Sequence, residues 1–258
     1  MISYAKSEDF YEIKELFIEC FPEHSDFNEY FFEKLYEKEN CILIKDNEKI
    51  VSMLQMLKYK SSYGDVTYIF GVATSKNHRK KGYAEKLMQK SFDISKSLGH
   101  KFSVLIPAKD WLYDFYAKYG YKATFSCDVV SCKNENVENI SRFMQKEDIC
   151  DVIQIYNNAD KGDFYINRDE RFFEIQMDLY GEGAKVYIEN SRIIGYSFGY
   201  FEEDVYIIDE IFSVDILKCV KSFSKTIYKT YGKSEKLGVI KSLEEDVMPN
   251  GYLNLMYN

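Results

Sequence analysis

Between Thr67 and Gly99 the sequence reads as strand, basic turn and helix, and no other stretch restricts the fold as much. Thr67-Tyr68-Ile69-Phe70-Gly71-Val72-Ala73-Thr74 is β-branched and aromatic and follows Gly64-Asp65, which predicts a buried strand. Leu87, Phe92, Ile94 and Leu98 recur at helical spacing ahead of Gly99, a residue suited to a helix C-cap. The two segments are joined by His78-Arg79-Lys80-Lys81-Gly82-Tyr83-Ala84. The first N–H groups of a helix lack intrahelical partners, and Gly82 and Ala84 let a ligand approach the main chain. An anionic phosphate fits there, with Arg79, Lys80 and Lys81 adding charge. A basic turn before a helix is equally compatible with a solvated surface. The stretch is neither a dinucleotide fingerprint, which needs glycine at three positions, nor a Walker A loop, which ends in Gly-Lys-Ser/Thr.

A second element separates these readings. Phe102-Ser103-Val104-Leu105-Ile106 predicts another buried strand, followed by Pro107 and then Asp110-Trp111-Leu112-Tyr113-Asp114-Phe115-Tyr116-Ala117-Lys118-Tyr119-Gly120-Tyr121. Arg79-x-x-Gly82-x-Ala84 resembles the acyl-CoA signature of the Gcn5-related N-acetyltransferases (GNATs), and Phe115-Tyr116-x-Lys118-x-Gly120-Tyr121 resembles their Phe-Tyr-x-Lys-x-Gly-Phe pattern. The resemblance implies that the turn cradles the coenzyme A pyrophosphate and that the pantetheine arm lies in a split between two strands. It further implies that Tyr116 faces the thioester sulfur.

With 46% hydrophobic and 17% aromatic residues over 258 positions, the chain is rich enough in core-forming side chains to exclude disorder. A fold of this length buries about 70–75% of its unfolded surface. No apolar run reaches the ~20 residues needed to span a bilayer, and Glu8 and Asp9 sit where a signal peptide would be basic, so a soluble, cytoplasmic protein without membrane partners is expected. The six cysteines lack Cys-x-x-Cys or paired-His spacing, which predicts free thiols and no metal site. A formal net charge of −8 disfavours a nucleic-acid partner and is compatible with a cationic amine acceptor.

Along the chain, a first strand at Ile2–Ala5 leads into a helix bearing Ile13, Leu16, Phe17 and Phe21 on one face, which closes at Pro22. A short helix over Phe27–Lys38 follows, then hairpin strands at Cys41–Lys45 and Ile50–Lys58. With a further strand expected at Cys127–Cys132, this half has the GNAT order. The polar stretch from Lys133 to Asn139 predicts a linker. Beyond it the order restarts: helices from Glu147 to Tyr156 and from Arg168 to Tyr180, a hairpin of Ala184–Glu189 and Ile193–Phe201, a strand over Asp204–Phe212, and a helix from Asp215 to Tyr231. Where the first half has its basic turn, the second has Ser213-Val214-Asp215-Ile216-Leu217, with no glycine or cation and an aspartate that repels a pyrophosphate.

The whole is similar to the tandem GNATs of the enhanced intracellular survival (Eis) family, aminoglycoside and lysine-residue N-acetyltransferases whose first half carries the active site. That family continues into a third, sterol-carrier-like domain whose terminal carboxylate reaches the active site, and these 258 residues contain no such domain. The expected fold class is α/β (α+β): a catalytic GNAT domain over residues 1–133 and a degenerate GNAT-like domain over 140–258, each a central mixed sheet flanked by helices. The resemblance implies that acetyl-CoA, as cosubstrate, is held by Val72, Ala73, Thr74, Arg79, Lys80, Lys81, Gly82, Tyr83 and Ala84. It makes Tyr116 the general acid, at an ordinary pKa of ~10, and a primary amine the acceptor. Backbone amides of Val72 and Thr74 would bind the pantetheine and the acyl oxygen. For the general base, Asp65, Glu23, His24, Asp26 and the carboxylate of Asn258 are open, and Phe27, Tyr30 and Phe31 flank the acceptor side. Asp110 reads as an N-cap, Trp111 as a core anchor and His78 as structural. An aminoacyl-tRNA-dependent transferase and a non-catalytic acyl-CoA sensor are the competing readings. Self-association into a homo-oligomer is left open.

Overall fold

The computed structural model describes residues 2–244 and 247–255. From the N-terminus it contains β1 (Ile2–Tyr4), α1 (Phe10–Cys20), α2 (Ser25–Tyr30), β2 (Cys41–Asp46), β3 (Lys49–Ser61), β4 (Gly64–Thr74), α3 (Tyr83–Ser97), β5 (Phe102–Leu105) and α4 (Trp111–Ala117). There follow β6 (Lys122–Lys133), β7 (Ser141–Phe143), α5 (Ile149–Asn158), α6 (Glu170–Tyr180), β8 (Ala184–Glu189), β9 (Arg192–Glu202), β10 (Val205–Ser213), α7 (Ile216–Val220), β11 (Lys225–Tyr231) and β12 (Glu235–Ser242). The chain divides into two compact units, Met1–Ala123 with Gly238–Met248, and Thr124–Leu237 with Pro249–Met256.

In the first unit the strands lie in the order β1-β2-β3-β4-β5-β12. All contacts are antiparallel except β4 with β5, which is the parallel pair bridged by α3. One face of this sheet packs α3 through Leu87, Met88 and Phe92 against Leu54, Met56 and Ile69. The other packs α1 and the turn of π-helix at Phe31–Leu35 through Ile13, Phe17 and Phe31 against Cys41, Leu43 and Met53. Thr67 Oγ1 lies 2.7 Å from both Ser95 Oγ and His100 Nδ1, a buried polar clasp tying β4 to the end of α3. Burial lowers the pKa of His100.

The second unit orders its strands β6-β11-β10-β9-β8-β7, again with one parallel pair, β10 with β11. One expectation fails here. Residues 215–231 are not one helix: α7 ends at Val220 and Lys225-Thr226-Ile227-Tyr228-Lys229-Thr230-Tyr231 is a strand, as its β-branched and aromatic residues favour. The strand expected at Cys127–Cys132 forms within β6. It pairs antiparallel with β11, Cys127 opposite Tyr231 and Cys132 opposite Thr226. The position beside β5 is taken by β12, with Val239 opposite Leu105 and Ser242 opposite Phe102. The division between the units falls between Ala123 and Thr124.

All six cysteines are free. Among the described residues no helix is long and apolar enough to cross a membrane, and no group of three His, Cys, Asp or Glu side chains is placed to hold a metal ion.

Candidate active site

The site is built where β4 parts from β5. Their parallel register runs only from Val66 opposite Phe102 to Tyr68 opposite Val104. Beyond Tyr68, β4 continues to Thr74 while β5 ends at Leu105, so the edge of β4 from Ile69 onward is free of β5. On its other edge β4 pairs with β3 up to Phe70 opposite Gln55 and resumes at Ala73 opposite Met53, leaving Gly71 and Val72 to face Leu54 alone. This is a β-bulge, and it re-aims the main chain. Gly71 has φ +57°, and a Cβ there would stand 2.5 Å from Phe17 Cε2, so both backbone and packing require glycine.

Past the bulge the direction of each peptide follows from its partners. Ser75 N–H donates to the Val51 carbonyl (3.0 Å), so Ser75 and, by alternation, Ala73 face β3. Thr74 and Val72 then face the free edge, and the Thr74 carbonyl is indeed met there by Arg79 Nε (3.1 Å) and Cys20 Sγ (3.5 Å). Two main-chain N–H groups thus lie on the side of the split. Ala73 is buried and its carbonyl accepts from Ser52 Oγ.

The basic turn follows. Lys80 (φ +63°) and Gly82 (φ +76°) are both left-handed, and the first main-chain hydrogen bond of α3 runs from Lys86 N–H to the Gly82 carbonyl (3.1 Å). The N–H groups of Tyr83, Ala84 and Glu85 consequently have no intrahelical acceptor and point out of the helix start. Arg79, Lys80, Lys81 and Gly82 are exposed, with the Arg79 side chain folded back over the Thr74 carbonyl, so the turn and the β4 split form one continuous surface. The Tyr83 hydroxyl is directed to Asp46 Oδ2 (3.4 Å), which leaves its main-chain amide as the group open to a ligand. His78 Nε2 lies 3.8 Å from the same carboxylate, a structural placement.

Tyr116 lies near the C-terminal end of α4, in the core shared with Met88, Phe92 and Leu105, with ring centroids 5.2 Å from Phe115 and 5.9 Å from Tyr121. It is 8% exposed, and burial pushes its pKa up to about 12, not the ordinary phenol value expected from the sequence. Trp111 is 62% exposed and is no core anchor, since α4 presents Tyr116 and not Trp111 to the sheet. Asp110 precedes α4 but its side chain makes no capping hydrogen bond.

Among the base candidates, Asp65 stands at the opposite end of β4, where its carbonyl accepts from Lys101 N–H. Nine residues of strand separate it from Thr74, about 30 Å, which removes it from the site. Glu23, His24 and Asp26 follow α1, whose last turn touches the split through Cys20, and all three are exposed. The Asn258 carboxylate lies outside the described residues. Phe27 and Phe31 pack against Phe70 at 6.0 and 5.1 Å, forming an aromatic wall beside the bulge.

The second unit keeps the bulge but not the open helix start. The β9–β10 register shifts between Ile208 and Glu210, so Asp209 is left without a partner on β9. Side chains of the C-terminal segment dock against this end of β10: Asn254 Nδ2 donates to the Asp209 carbonyl (3.0 Å) and the Tyr252 hydroxyl donates to Glu210 Oε2 (3.1 Å). At the start of α7, Asp215 Oδ1 accepts from Lys218 N–H (3.0 Å), so a carboxylate of the protein already occupies the place where the first unit exposes amides.

Residues 1–124 match the family model of the acetyltransferase (GNAT) domain. No curated protein sequence matches the chain. Among solved structures it resembles a GCN5-related N-acetyltransferase from Anabaena variabilis, with a TM-score of 0.73 at 15% identity over 95% of this chain and 73% of that one. A probable N-acyltransferase from Enterococcus faecalis gives 0.73 at 17% identity over 95% and 73%. Eis1 from Mycobacterium abscessus gives 0.68 at 8% identity over 95% and 74%. At such identities the likeness is one of fold, and it extends over both units.

Proposed function

We propose that the chain, whose residues 1–124 match the model of the acetyltransferase (GNAT) domain, is an acetyl-CoA-dependent N-acetyltransferase with a single active site, in its first unit, acting on a primary amine. The observation that carries this reading is the coincidence of three features at one end of β4: the parting from β5, the bulge at Gly71–Val72, and the open amides and cations of residues 79–84. The second unit is the degenerate repeat, its β10 end covered by its own C-terminal segment.

Each part has a defined task. The amides of Tyr83 and Ala84, with Arg79, Lys80 and Lys81, hold the pyrophosphate. The Val72 and Thr74 N–H groups bind the pantetheine arm and the thioester oxygen, and the one on the oxygen stabilises negative charge as the carbonyl carbon becomes tetrahedral. A neutral amine attacks that carbon from the side of Phe27 and Phe31. As the C–N bond forms and the C–S bond breaks, the Tyr116 hydroxyl donates to the departing sulfur and the new nitrogen gives up its proton to solvent, so protons balance. The acceptor is a small cationic amine, an aminoglycoside-like compound or a lysine side chain, a class that the formal charge of −8 draws toward the surface.

A thiol-release assay with acetyl-CoA over a panel of polyamines, aminoglycosides and lysine peptides tests the reading. At least one amine should release thiol, and Arg79→Ala should raise the KM for acetyl-CoA about 10-fold or more through loss of a charge-assisted contact. Thiol release with no member of the panel, from protein that binds acetyl-CoA, would make it a sensor instead.

A further inference from the structure

A groove of about 780 Å³ leads away from the phosphate turn along one side of α3, lined by Gly82, Glu85, Lys86, Gln89, Phe92 and Lys96 from that helix and by Lys118, Tyr119 and Lys241 opposite. Its charge is one-sided. Four of these residues are lysines against one carboxylate, and none of the four makes an ion pair with a described residue. They also come from three places in the chain: Lys86 and Lys96 from α3, Lys118 from the end of α4, and Lys241 from β12. Lys241 is seated there by the pairing of β12 with β5, its Nζ 5.0 Å from the Phe92 ring centroid and against Gly120, where a Cβ would approach it to 2.7 Å. Burial, and next the neighbouring Lys96, hold the Lys241 ammonium below its ordinary pKa.

Convergence of unpaired ammonium groups in a concave site calls for an anion of more than one charge, since a solvated lysine face has no reason to bring like charges together from three elements. The groove opens at Gly82, whose turn is assigned above to a pyrophosphate. Resting on that assignment, we propose that Lys86, Lys118 and Lys241 bind the 3′-phosphate on the ribose of the coenzyme's nucleotide, so that β12, which lies more than a hundred residues after α4 in the chain, completes the cosubstrate site of the first unit. Lys96, about 21 Å along the helix from Gly82 at 1.5 Å per residue, contributes field and not contact. The site then distinguishes 3′-phosphorylated acetyl-CoA from its dephospho form by charge alone.

The test is calorimetric titration of the full chain with acetyl-CoA and with 3′-dephospho-acetyl-CoA. Wild type should favour acetyl-CoA by about tenfold or more, with the preference shrinking as salt is raised. The double variant Lys118→Gln/Lys241→Gln should weaken acetyl-CoA alone and bring the two ligands within about threefold of each other. Should that variant fail to fold, Lys86→Gln, on the exposed face of α3, should reduce the same preference. Equal affinities in wild type, or variants that weaken both ligands alike, would overturn this inference and leave the acetyl-CoA reading standing. A wild type that binds neither ligand would overturn both.

Discussion

Tyr116→Phe should slow acetyl transfer by at least about 10²-fold while leaving acetyl-CoA affinity nearly unchanged. The substitution removes one oxygen and keeps the ring between Phe115 and Tyr121, so neither the core nor the phosphate turn is disturbed. The pKa of about 12 sets the character of the step. A free coenzyme thiol resembles cysteine, near 8.5, so complete transfer of the phenolic proton to the sulfur is uphill, and the hydroxyl acts by donating a hydrogen bond as negative charge builds there. This favours the lower part of the usual general-acid range over 10⁴-fold. The pH dependence follows in sign. A raised pKa keeps Tyr116 protonated through pH 10, where an exposed tyrosine is half ionised, so the wild-type rate should show no loss from this group until the pH approaches about 12. Purified Tyr116→Phe protein with wild-type turnover would remove the residue from the mechanism.

The second large effect concerns stability. In the second unit Arg168 and Glu210 form a fully buried two-point ion pair, with Arg168 Nη2 to Glu210 Oε2 at 2.8 Å. Glu210 also accepts from the Tyr196 and Tyr252 hydroxyls, and Arg168 Nη2 donates to the Asn254 carbonyl at 2.6 Å. The adjacent carboxylate holds the guanidinium well above its usual pKa despite the opposing cost of burial. Glu210→Gln has nearly the same shape but strands the arginine charge in the interior, which typically costs about 3–5 kcal/mol. The urea midpoint should fall accordingly, and residues 250–255, which these groups hold, should become sensitive to protease. Replacing both partners by apolar residues, Arg168→Met with Glu210→Leu, should recover most of the loss. An unchanged midpoint in Glu210→Gln would show that the pair contributes nothing.

What the sequence made legible and what it hid divide along a physical line. The strand at Thr67–Thr74, the turn at 79–82 and the helix ending before Gly99 rest on local chemistry, namely β-branching, left-handed glycine and apolar period, and each appears where those signals put it. Strand partnership does not rest on local chemistry. Nothing in Cys127–Cys132 says that its neighbour is Thr226–Tyr231, and β12 at Glu235–Ser242 gave no signal strong enough to be read beside Lys-rich surroundings. The misreading of 215–231 as one helix has the same root, since Ile227 and Tyr228 fit either period until pairing decides. Within the site, Gly71 was visible only as part of a strand end, and its bulge emerges from a register shift against β3. Lys118 and Lys241 are separated by more than a hundred positions, so their meeting beside Gly120 could not be seen along the chain. Trp111 looked buried because it is large and aromatic, yet its helix turns Tyr116 inward instead.

The central claim is that one unit binds acetyl-CoA and the other does not. Calorimetric titration of the intact chain with acetyl-CoA tests it most directly. The account predicts a stoichiometry of one per chain, with affinity lowered about tenfold or more by Arg79→Ala and unaffected by Asp215→Asn at the start of α7. A stoichiometry of two, or binding that survives Arg79→Ala undiminished, would contradict it.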